Sequence, residues 1–125
     1  MVEVPDNLMY TKTHEWARIE GNRVTIGITD HAQHELTDIV YVELPEIGKD
    51  VTAGGEVAIV ESVKSTSDFY SPVTGKVVEV NNELESSPEL MNAEPYGRGW
   101  LAIIECDSVD TSGLLTPEAY KQELG

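Results

Sequence analysis

The chain has 125 residues, which is enough for one domain and leaves little room for a second. Eight Lys and Arg residues stand against 23 Asp and Glu residues, and the formal net charge of −15 argues against nucleic-acid binding and against docking on an anionic membrane. The hydrophobic fraction of 40% is too high for a disordered acidic tail, and the apolar runs fall well short of the roughly 20 residues of a membrane-spanning helix.

The N-terminus and the cysteine content bear on the compartment. The first six residues are acidic and lack the basic and apolar regions of a signal peptide. Cys106 is the single cysteine and forms no internal disulfide, so we predict a small buried apolar side chain rather than a nucleophile. These features predict a prokaryotic cytoplasmic protein, although a processed mitochondrial matrix chain would look the same.

Strands dominate the predicted secondary structure. Val and Ile together number 22 against nine Leu, and β-branched side chains favour strands. Apolar or alternating segments predict strands, in chain order, at 23–28, 39–44, 57–60, 77–80 and 100–106. Because Pro, Gly, Asn and Asp separate these short segments, the sequence predicts a mainly β fold, an antiparallel β-sandwich or flattened barrel with short helices.

Capping signals predict where the helices begin. Either Thr29 or Asp30 caps a first helix, since both residue types accept hydrogen bonds from free backbone N–H groups. The Ser-Pro-Glu sequence at 87–89 predicts another helix start, with Pro in the first turn and an acid near the positive helix end. The same pattern, Thr-Pro-Glu, predicts a C-terminal helix at about 116–124.

Lys64 lies between two predicted strands in a segment of small hydroxyl residues. Of the five lysines, this one has small hydroxyl residues at position 62 and at 65–67 and lies between two strong strand signals. A lysine at a tight exposed turn is accessible to a modifying enzyme, and its long side chain carries an attached group away from the surface. The alternative is a solvated turn lysine that only keeps the hairpin soluble.

The residues around Lys64 resemble the attachment hairpin of lipoyl and biotinyl carrier domains. The resemblance rests on Glu-Ser-Val-Lys-Ser at 61–65, Asp68, and Ser-Pro-Val-Thr-Gly-Lys-Val at 71–77. The chain has neither the Met-Lys-Met of biotinyl domains nor the Asp-Lys-Ala of the lipoyl domains of 2-oxo acid dehydrogenases.

Further segments resemble the H protein of the glycine cleavage system. They are Thr-His-Glu-Trp at 13–16, Gly-Ile-Thr-Asp-His-Ala-Gln at 27–33, Val-Glu-Leu-Pro at 42–45 and Asn-Ala-Glu-Pro-Tyr-Gly-Arg-Gly-Trp at 92–100. The resemblance runs from about Tyr10 to the final helix. Several motifs in the same order are more specific than one lysine hairpin.

The resemblance implies the fold and the attached group. It implies a single carrier domain over 1–125 of the lipoyl (hammerhead) type, with the lipoyl hairpin around 56–81. It also implies lipoate joined by an amide bond to Lys64, which removes the positive charge of that lysine. Such a chain is a non-catalytic component of a multienzyme system.

The resemblance also implies the partners. A pyridoxal-phosphate-dependent glycine decarboxylase (P protein) passes the aminomethyl group of glycine to the arm. A folate-dependent aminomethyltransferase (T protein) takes the one-carbon unit, and dihydrolipoyl dehydrogenase (L protein) reoxidises the dithiol. A lipoate ligase or a lipoyl/octanoyl transferase attaches the group, and the free carrier is expected to be a monomer.

Three residues are candidate contacts of the loaded arm. An amine that is held as an ammonium cannot expel the sulfur leaving group, so a neighbouring carboxylate protects the cargo. Glu15 and Asp68 are the candidate ammonium partners, and Thr13 is a candidate hydrogen-bonding neighbour. The alternatives are that Glu15 is a solvated strand residue and that Asp68 caps a turn.

Two other functions stay open at this point. An H-like lipoyl protein could relay lipoate to other lipoyl-dependent enzymes. A self-contained enzyme could use His14, Glu15 and Asp30, provided that they share a pocket. We predict no metal site, because the histidines at 14, 31 and 34 lack a further cluster of ligands and are better explained as loop and helix residues.

Thr37 is one departure from the family pattern, which has Gly after the residue equivalent to Leu36. Threonine tolerates a positive φ poorly, so the turn here is predicted to follow a different path.

Overall fold

The computed structural model describes residues 2–124, and within that range it contains nine strands and four helices. The strands are β1 (Met9–Tyr10), β2 (Glu15–Glu20), β3 (Arg23–Ile28), β4 (Ile39–Glu43), β5 (Asp50–Val51), β6 (Glu56–Ser62), β7 (Thr66–Tyr70), β8 (Gly75–Val80) and β9 (Ala102–Glu105). The helices are α1 (Asp30–Leu36), α2 (Glu83–Ser86), α3 (Leu90–Ala93) and α4 (Pro117–Leu124). The helix starts predicted near residue 30 and near residue 117 are confirmed.

The strands form two antiparallel sheets. The six-stranded sheet has the order β1-β2-β3-β9-β8-β5, and the three-stranded sheet has the order β4-β6-β7. Every pairing among the described strands is antiparallel. The prediction of a mainly β, antiparallel sandwich with short helices is confirmed, and the two separate sheets correspond to a flattened sandwich rather than a closed barrel.

The inner faces of the two sheets meet in one hydrophobic core. Ile26 and Ile104 of the six-stranded sheet belong to the same cluster of buried side chains as Val60 and Phe69 of the three-stranded sheet. Full burial of one such side chain contributes about 1.5–3 kcal/mol, so this cluster is the main source of stability. Cys106 lies buried in the same cluster, as the sequence predicted.

A second, aromatic cluster attaches the C-terminal helix to the six-stranded sheet. Tyr10 of β1 stacks on Tyr120 of α4, with ring centroids 4.6 Å apart and an interplanar angle of 7°. Trp16 is fully buried beside them, and its indole Nε1 donates a hydrogen bond of 2.9 Å to the carbonyl oxygen of Pro95. The carbonyl and hydroxyl partners let these polar aromatic rings be buried without an unsatisfied group.

The segment after Lys64 differs from the sequence prediction. The apolar runs at 57–60 and 77–80 were both predicted to flank the lysine, but they lie in different sheets. The strand that pairs with β6 is β7, which the sequence analysis read as part of a polar excursion. The polar residues Thr66 to Asp68 give no apolar alternation that would indicate a strand, and only Phe69 faces the core.

Of the two candidate caps for α1, Thr29 is the one that the structure shows. Its side chain accepts a hydrogen bond from the N–H of Ala32.

The turn after α1 begins at Thr37. Thr37 adopts a positive φ of 63°, a conformation that glycine takes more readily than threonine. Its N–H donates to the carbonyl of Gln33 at 2.9 Å, and the side-chain amide of Asn92 donates to its carbonyl at 2.6 Å. These bonds hold a conformation that threonine disfavours.

Within residues 2–124, no helix has both the length and the apolar composition that crossing a membrane requires.

Candidate functional site

Lys64 lies in the tight turn between β6 and β7. The N–H of Ser62 donates to the carbonyl of Ser65 at 2.8 Å and closes the turn. The hydroxyl oxygen of Ser62 accepts from the N–H groups of Lys64 and Ser65, at 3.3 and 3.2 Å. One small side chain therefore fixes the backbone on both sides of the lysine, and the serines noted in the sequence have a local structural reason.

The side chain of Lys64 is exposed, and the ion pairs found among residues 2–124 do not include it. A primary amine at the tip of a hairpin, with open space around it, can form an amide bond with a carboxylic acid. The residue at this position therefore fits a covalently attached acyl group, and the fixed turn gives the attached arm a defined point of origin.

A cleft of about 200 Å³ runs along the beginning of β7, next to α1. Apolar side chains of both sheets and of α1 contribute to its lining, namely Ile28, Ala32, Leu36, Val60 and Phe69. Its polar lining includes all three predicted arm contacts, Thr13, Glu15 and Asp68. Asp68 is four residues beyond Lys64, at most about 13 Å of backbone, which a lysine lengthened by an acyl chain can span.

Glu15 is buried, with 3% of its surface exposed, and the alternative of a solvated strand residue is wrong. Its Oε1 accepts hydrogen bonds from the hydroxyls of Thr11 and Thr13, and its Oε2 accepts a longer one, 3.3 Å, from the N–H of Tyr70. Burial raises the pKa of this carboxyl, and the three hydrogen bonds partly oppose that increase. The carboxylate thus bridges the two sheets at the cleft and keeps its Oε2 weakly engaged.

Asp68 is exposed within β7, where it lies opposite Ile59 of β6. The alternative that it caps a turn is therefore wrong. Because side chains alternate along a strand, Asp68 and the buried Phe69 point to opposite faces. Both residues line the cleft, Asp68 as an exposed side chain and Glu15 as a buried one.

His14 belongs to a different network. Its Nδ1 lies 2.8 Å from the hydroxyl of Tyr120, which lies 2.8 Å from the hydroxyl of Thr29. Burial and the nearby ring of His31 lower the pKa of His14. The hydrogen bonds that link His14, Tyr120 and Thr29 fix the loop before β2.

Of the residues proposed for a self-contained enzyme, His14 and Glu15 both line the cleft, whereas Asp30 does not. Asp30 accepts hydrogen bonds from the backbone N–H of Glu3 and from the side-chain amide of Gln33, and so serves the start of α1. Among the described residues, no hydrogen bond joins the side chains of His14, Glu15 and Asp30 to one another.

Sequence reasoning missed two hydrogen-bond partners of Glu15. Thr11 holds Glu15 through its hydroxyl, and its position four residues before Glu15 was the only available signal. The N–H of Tyr70 is contributed by the unpredicted strand β7, so nothing in the local sequence indicated it.

Comparison with known proteins gives one consistent result. The family described as "Glycine cleavage H-protein" matches residues 8–125. The chain is 56% identical over 124 residues to a glycine cleavage system H protein of Rubrobacter xylanophilus, covering 99% of this chain and 97% of that one. It is 54% identical over 126 residues to one from Stenotrophomonas maltophilia, covering 99% and 96%. The crystal structure of a glycine cleavage system H protein from Mycobacterium marinum superposes with a TM-score of 0.90 at 38% identity, covering 98% of this chain and 99% of that one.

Proposed function

The chain belongs to the glycine cleavage H-protein family, and from this premise we propose that Lys64 carries lipoate and that the chain shuttles the aminomethyl group of glycine between enzymes. Proteins of this family are carrier components of the glycine cleavage system. The proposed route runs from the P protein, the decarboxylase, to the T protein, the aminomethyltransferase. Reoxidation by the L protein, dihydrolipoyl dehydrogenase, completes the cycle. We also propose that 1–125 acts as one carrier domain with its lipoyl hairpin around 56–81.

The observation that carries this proposal is the turn at Lys64. Its amine is exposed, its backbone is fixed by Ser62, and it stands in a family of lipoate carriers. When attached, the dithiolane supplies one sulfur for the transferred carbon and a two-electron couple for reoxidation. The tether raises the local concentration of the attached group at each active site that it visits.

In the proposed function, Glu15 and Asp68 protect the cargo. An ammonium close to the weakly engaged Oε2 of Glu15 gains a charge-assisted hydrogen bond and stays protonated. That contact opposes the raised pKa of Glu15, so carboxylate and ammonium favour each other's charged forms. Thr13 holds the carboxylate through its hydroxyl, and the apolar lining of the cleft limits access of water.

Exchange of labelled bicarbonate into glycine tests the carrier role. The lipoylated chain is incubated with glycine and the purified pyridoxal-phosphate decarboxylase, and label in glycine is measured. We expect exchange with the lipoylated chain and background label with Lys64→Arg, while Lys76→Arg, another exposed lysine, retains full exchange. A lipoylated chain that supports no exchange would favour the alternative, an H-like protein that relays lipoate to other enzymes.

The half-life of the loaded protein tests the protective role of Glu15. Glu15→Gln removes the charge but keeps the shape, so ammonia is expected to be released several-fold faster from the loaded variant. Glu20→Gln, an exposed change on the same strand, is the matched control and should behave like the native chain. A native half-life in a folded Glu15→Gln variant would exclude Glu15 from this role.

A further inference from the structure

The exposed large hydrophobic side chains are concentrated in one part of the molecule. Among residues 2–124 they are Val40, Tyr41, Ile47 and Val63, with 53%, 51%, 65% and 66% of their surfaces exposed. Two belong to β4, one follows β4 in the chain, and one lies in the Lys64 turn. None lies on the six-stranded sheet, although that sheet has twice as many strands.

A β-bulge in β4 accounts for two of these exposed residues. The register between β4 and β6 shifts between Ile39 and Tyr41, so Val40 is an extra residue without an opposite partner. In a regular strand, Val40 and Tyr41 would point to opposite faces and one of them would enter the core. The bulge leaves both exposed, and bulges of this kind often re-aim side chains near functional sites.

These side chains lie at the Lys64 end of the three-stranded sheet. Ile39 lies opposite Ser62, and the N–H of Val63 donates to the carbonyl of Asp38 at 3.0 Å. Val40 follows Ile39 directly, and Val63 directly precedes Lys64. We call Val40, Tyr41 and Val63 the turn patch.

Carboxylates surround the turn patch. Asp38 lies beside Val63, and Glu61 lies opposite Tyr41. Glu43 continues β4 on the same side as Tyr41, two residues further along. Lys64 supplies the positive charge of this turn and loses it when its amine becomes an amide. The face therefore combines an exposed apolar centre with a negative border, in a chain whose net charge is −15.

We propose that the turn patch is the docking surface for the acyl-transfer enzyme that modifies Lys64, a protein whose face presents apolar side chains bordered by Arg and Lys. This inference rests on the proposed function. Acylation forms an amide bond between Nζ and the lipoyl carbon, while the bond from that carbon to an activating adenylate breaks and AMP and a proton leave. The enzyme must therefore reach Nζ itself, at the turn.

The geometry favours this partner over enzymes that act on the attached arm. A standard interface covers about 800 Å² on each partner, so a protein that encloses Nζ also covers the residues beside the turn. Enzymes that act on the dithiolane meet the far end of the arm and need not cover the turn patch. Exposed apolar residues at the centre of an interface, with charges at its border, supply affinity and on-rate respectively.

Kinetics of acylation test the proposal. The lipoate-free chain is titrated against a purified lipoate–protein ligase with ATP and lipoate, and initial rates are read from intact mass. For the double variant Tyr41→Ser, Val63→Ser, we expect the KM for the chain to rise about tenfold, since truncating central apolar contacts weakens docking. The kcat should stay within about twofold, because Lys64 itself and the Ser62 hydrogen bonds that fix its backbone are unchanged.

Ile47→Ser is the matched control. Ile47 is as exposed as Val63 but follows the end of β4 that points away from the turn, so its KM should match that of the native chain. The native KM should also rise with added NaCl, because salt screens the charged border. Val40→Thr, which keeps the β-branched shape, repeats the measurement if the double variant fails to fold.

The outcomes separate the two proposals. If the native chain is acylated at Lys64 and both patch variants keep the native KM, the docking surface is wrong and the proposed function stands. An equal rise in KM for Ile47→Ser would also overturn the assignment to the turn patch. If the native chain is not acylated at Lys64, the proposed function itself fails.

Discussion

The two sheets of this protein both contain apolar strands, but they differ in how much of their apolar surface is exposed. The six-stranded sheet buries its large apolar side chains, whereas the three-stranded sheet and the segments beside it leave four of them half exposed or more. Val24 and Ile26 of β3 are fully buried, while Val40 and Tyr41 of β4 face solvent. The comparison indicates that both sheets contribute to the core, and that the three-stranded sheet also presents Lys64 and an exposed apolar surface around it.

The polar side chains of the six-stranded sheet and those of the Lys64 turn also differ in what they bind. In the six-stranded sheet and its helix, polar side chains are used internally, as where the hydroxyl of Tyr10 donates to the carbonyl of Pro5 at 2.6 Å. No buried side-chain nitrogen or oxygen in the described range 2–124 lacks a hydrogen-bond partner. At the Lys64 turn, the hydroxyl of Ser62 bonds only within the turn and leaves the amine free.

Trp16→Ala is the change with the largest expected effect on stability. It removes the largest fully buried side chain and the hydrogen bond to Pro95, so the free energy of unfolding should fall by about 3–5 kcal/mol. Val63→Ser in the other region should change it by less than about 0.5 kcal/mol. Urea denaturation followed by circular dichroism measures both, and comparable losses would contradict the conclusion that the exposed surface beside Lys64 contributes little to stability.

Gly27→Ala tests the packing of the buried region around Trp16 with a smaller expected loss of stability. An added Cβ at position 27 would lie 2.7 Å from the indole ring of Trp16, too close for an ordinary contact. We expect a loss of about 1–3 kcal/mol from overpacking. Gly113→Ala is the matched control, since nothing lies within 4 Å of its added Cβ. Equal unfolding midpoints for the two variants would show that the Trp16 pocket is not tightly packed.

The pH dependence of stability is the smallest expected effect. Since the pKa of His14 lies below its ordinary value of 6.5 in the folded chain, the unfolded chain binds more protons there. His14 therefore contributes stability above pH 6.5 that is lost as the pH falls towards its folded pKa. His31, Glu35, Glu123 and the hydroxyl of Tyr120 face this ring.

His14→Asn tests this linkage, because asparagine accepts the positive φ of 71° found at this position. Unfolding midpoints are compared between pH 7 and pH 5 for the native chain and the variant. We expect a smaller decrease in the variant. An identical decrease would remove His14 from the account.

The sequence was sufficient for the parts of the fold that depend on local patterns. The cap at Thr116 and the position of β3 follow from short-range chemistry and are where the sequence placed them, and Thr29 is one of the two caps that it offered for α1. Strand β7 escaped prediction because its polar residues mask the period of two. The β4 bulge also escaped, since a continuous apolar run gives no sign of a register shift.

The site shows the same limit. Lys64 was identifiable because its neighbours are unusual along the chain, and the structure adds that its amine is exposed. The burial of Glu15 was not predictable, since it depends on the N–H of Tyr70 from the other sheet, 55 positions along the chain. Positive φ at Thr37 likewise depends on a distant partner, Asn92.

Mass measurement of the acylated chain tests the central claim most directly. The native chain and Lys64→Arg are incubated with lipoate, ATP and a lipoate–protein ligase, and intact and fragment masses are recorded. The account predicts that the native chain gains one lipoyl group, located at Lys64, and that Lys64→Arg gains none. A lipoyl group on any other lysine, or equal modification of Lys64→Arg, would contradict it.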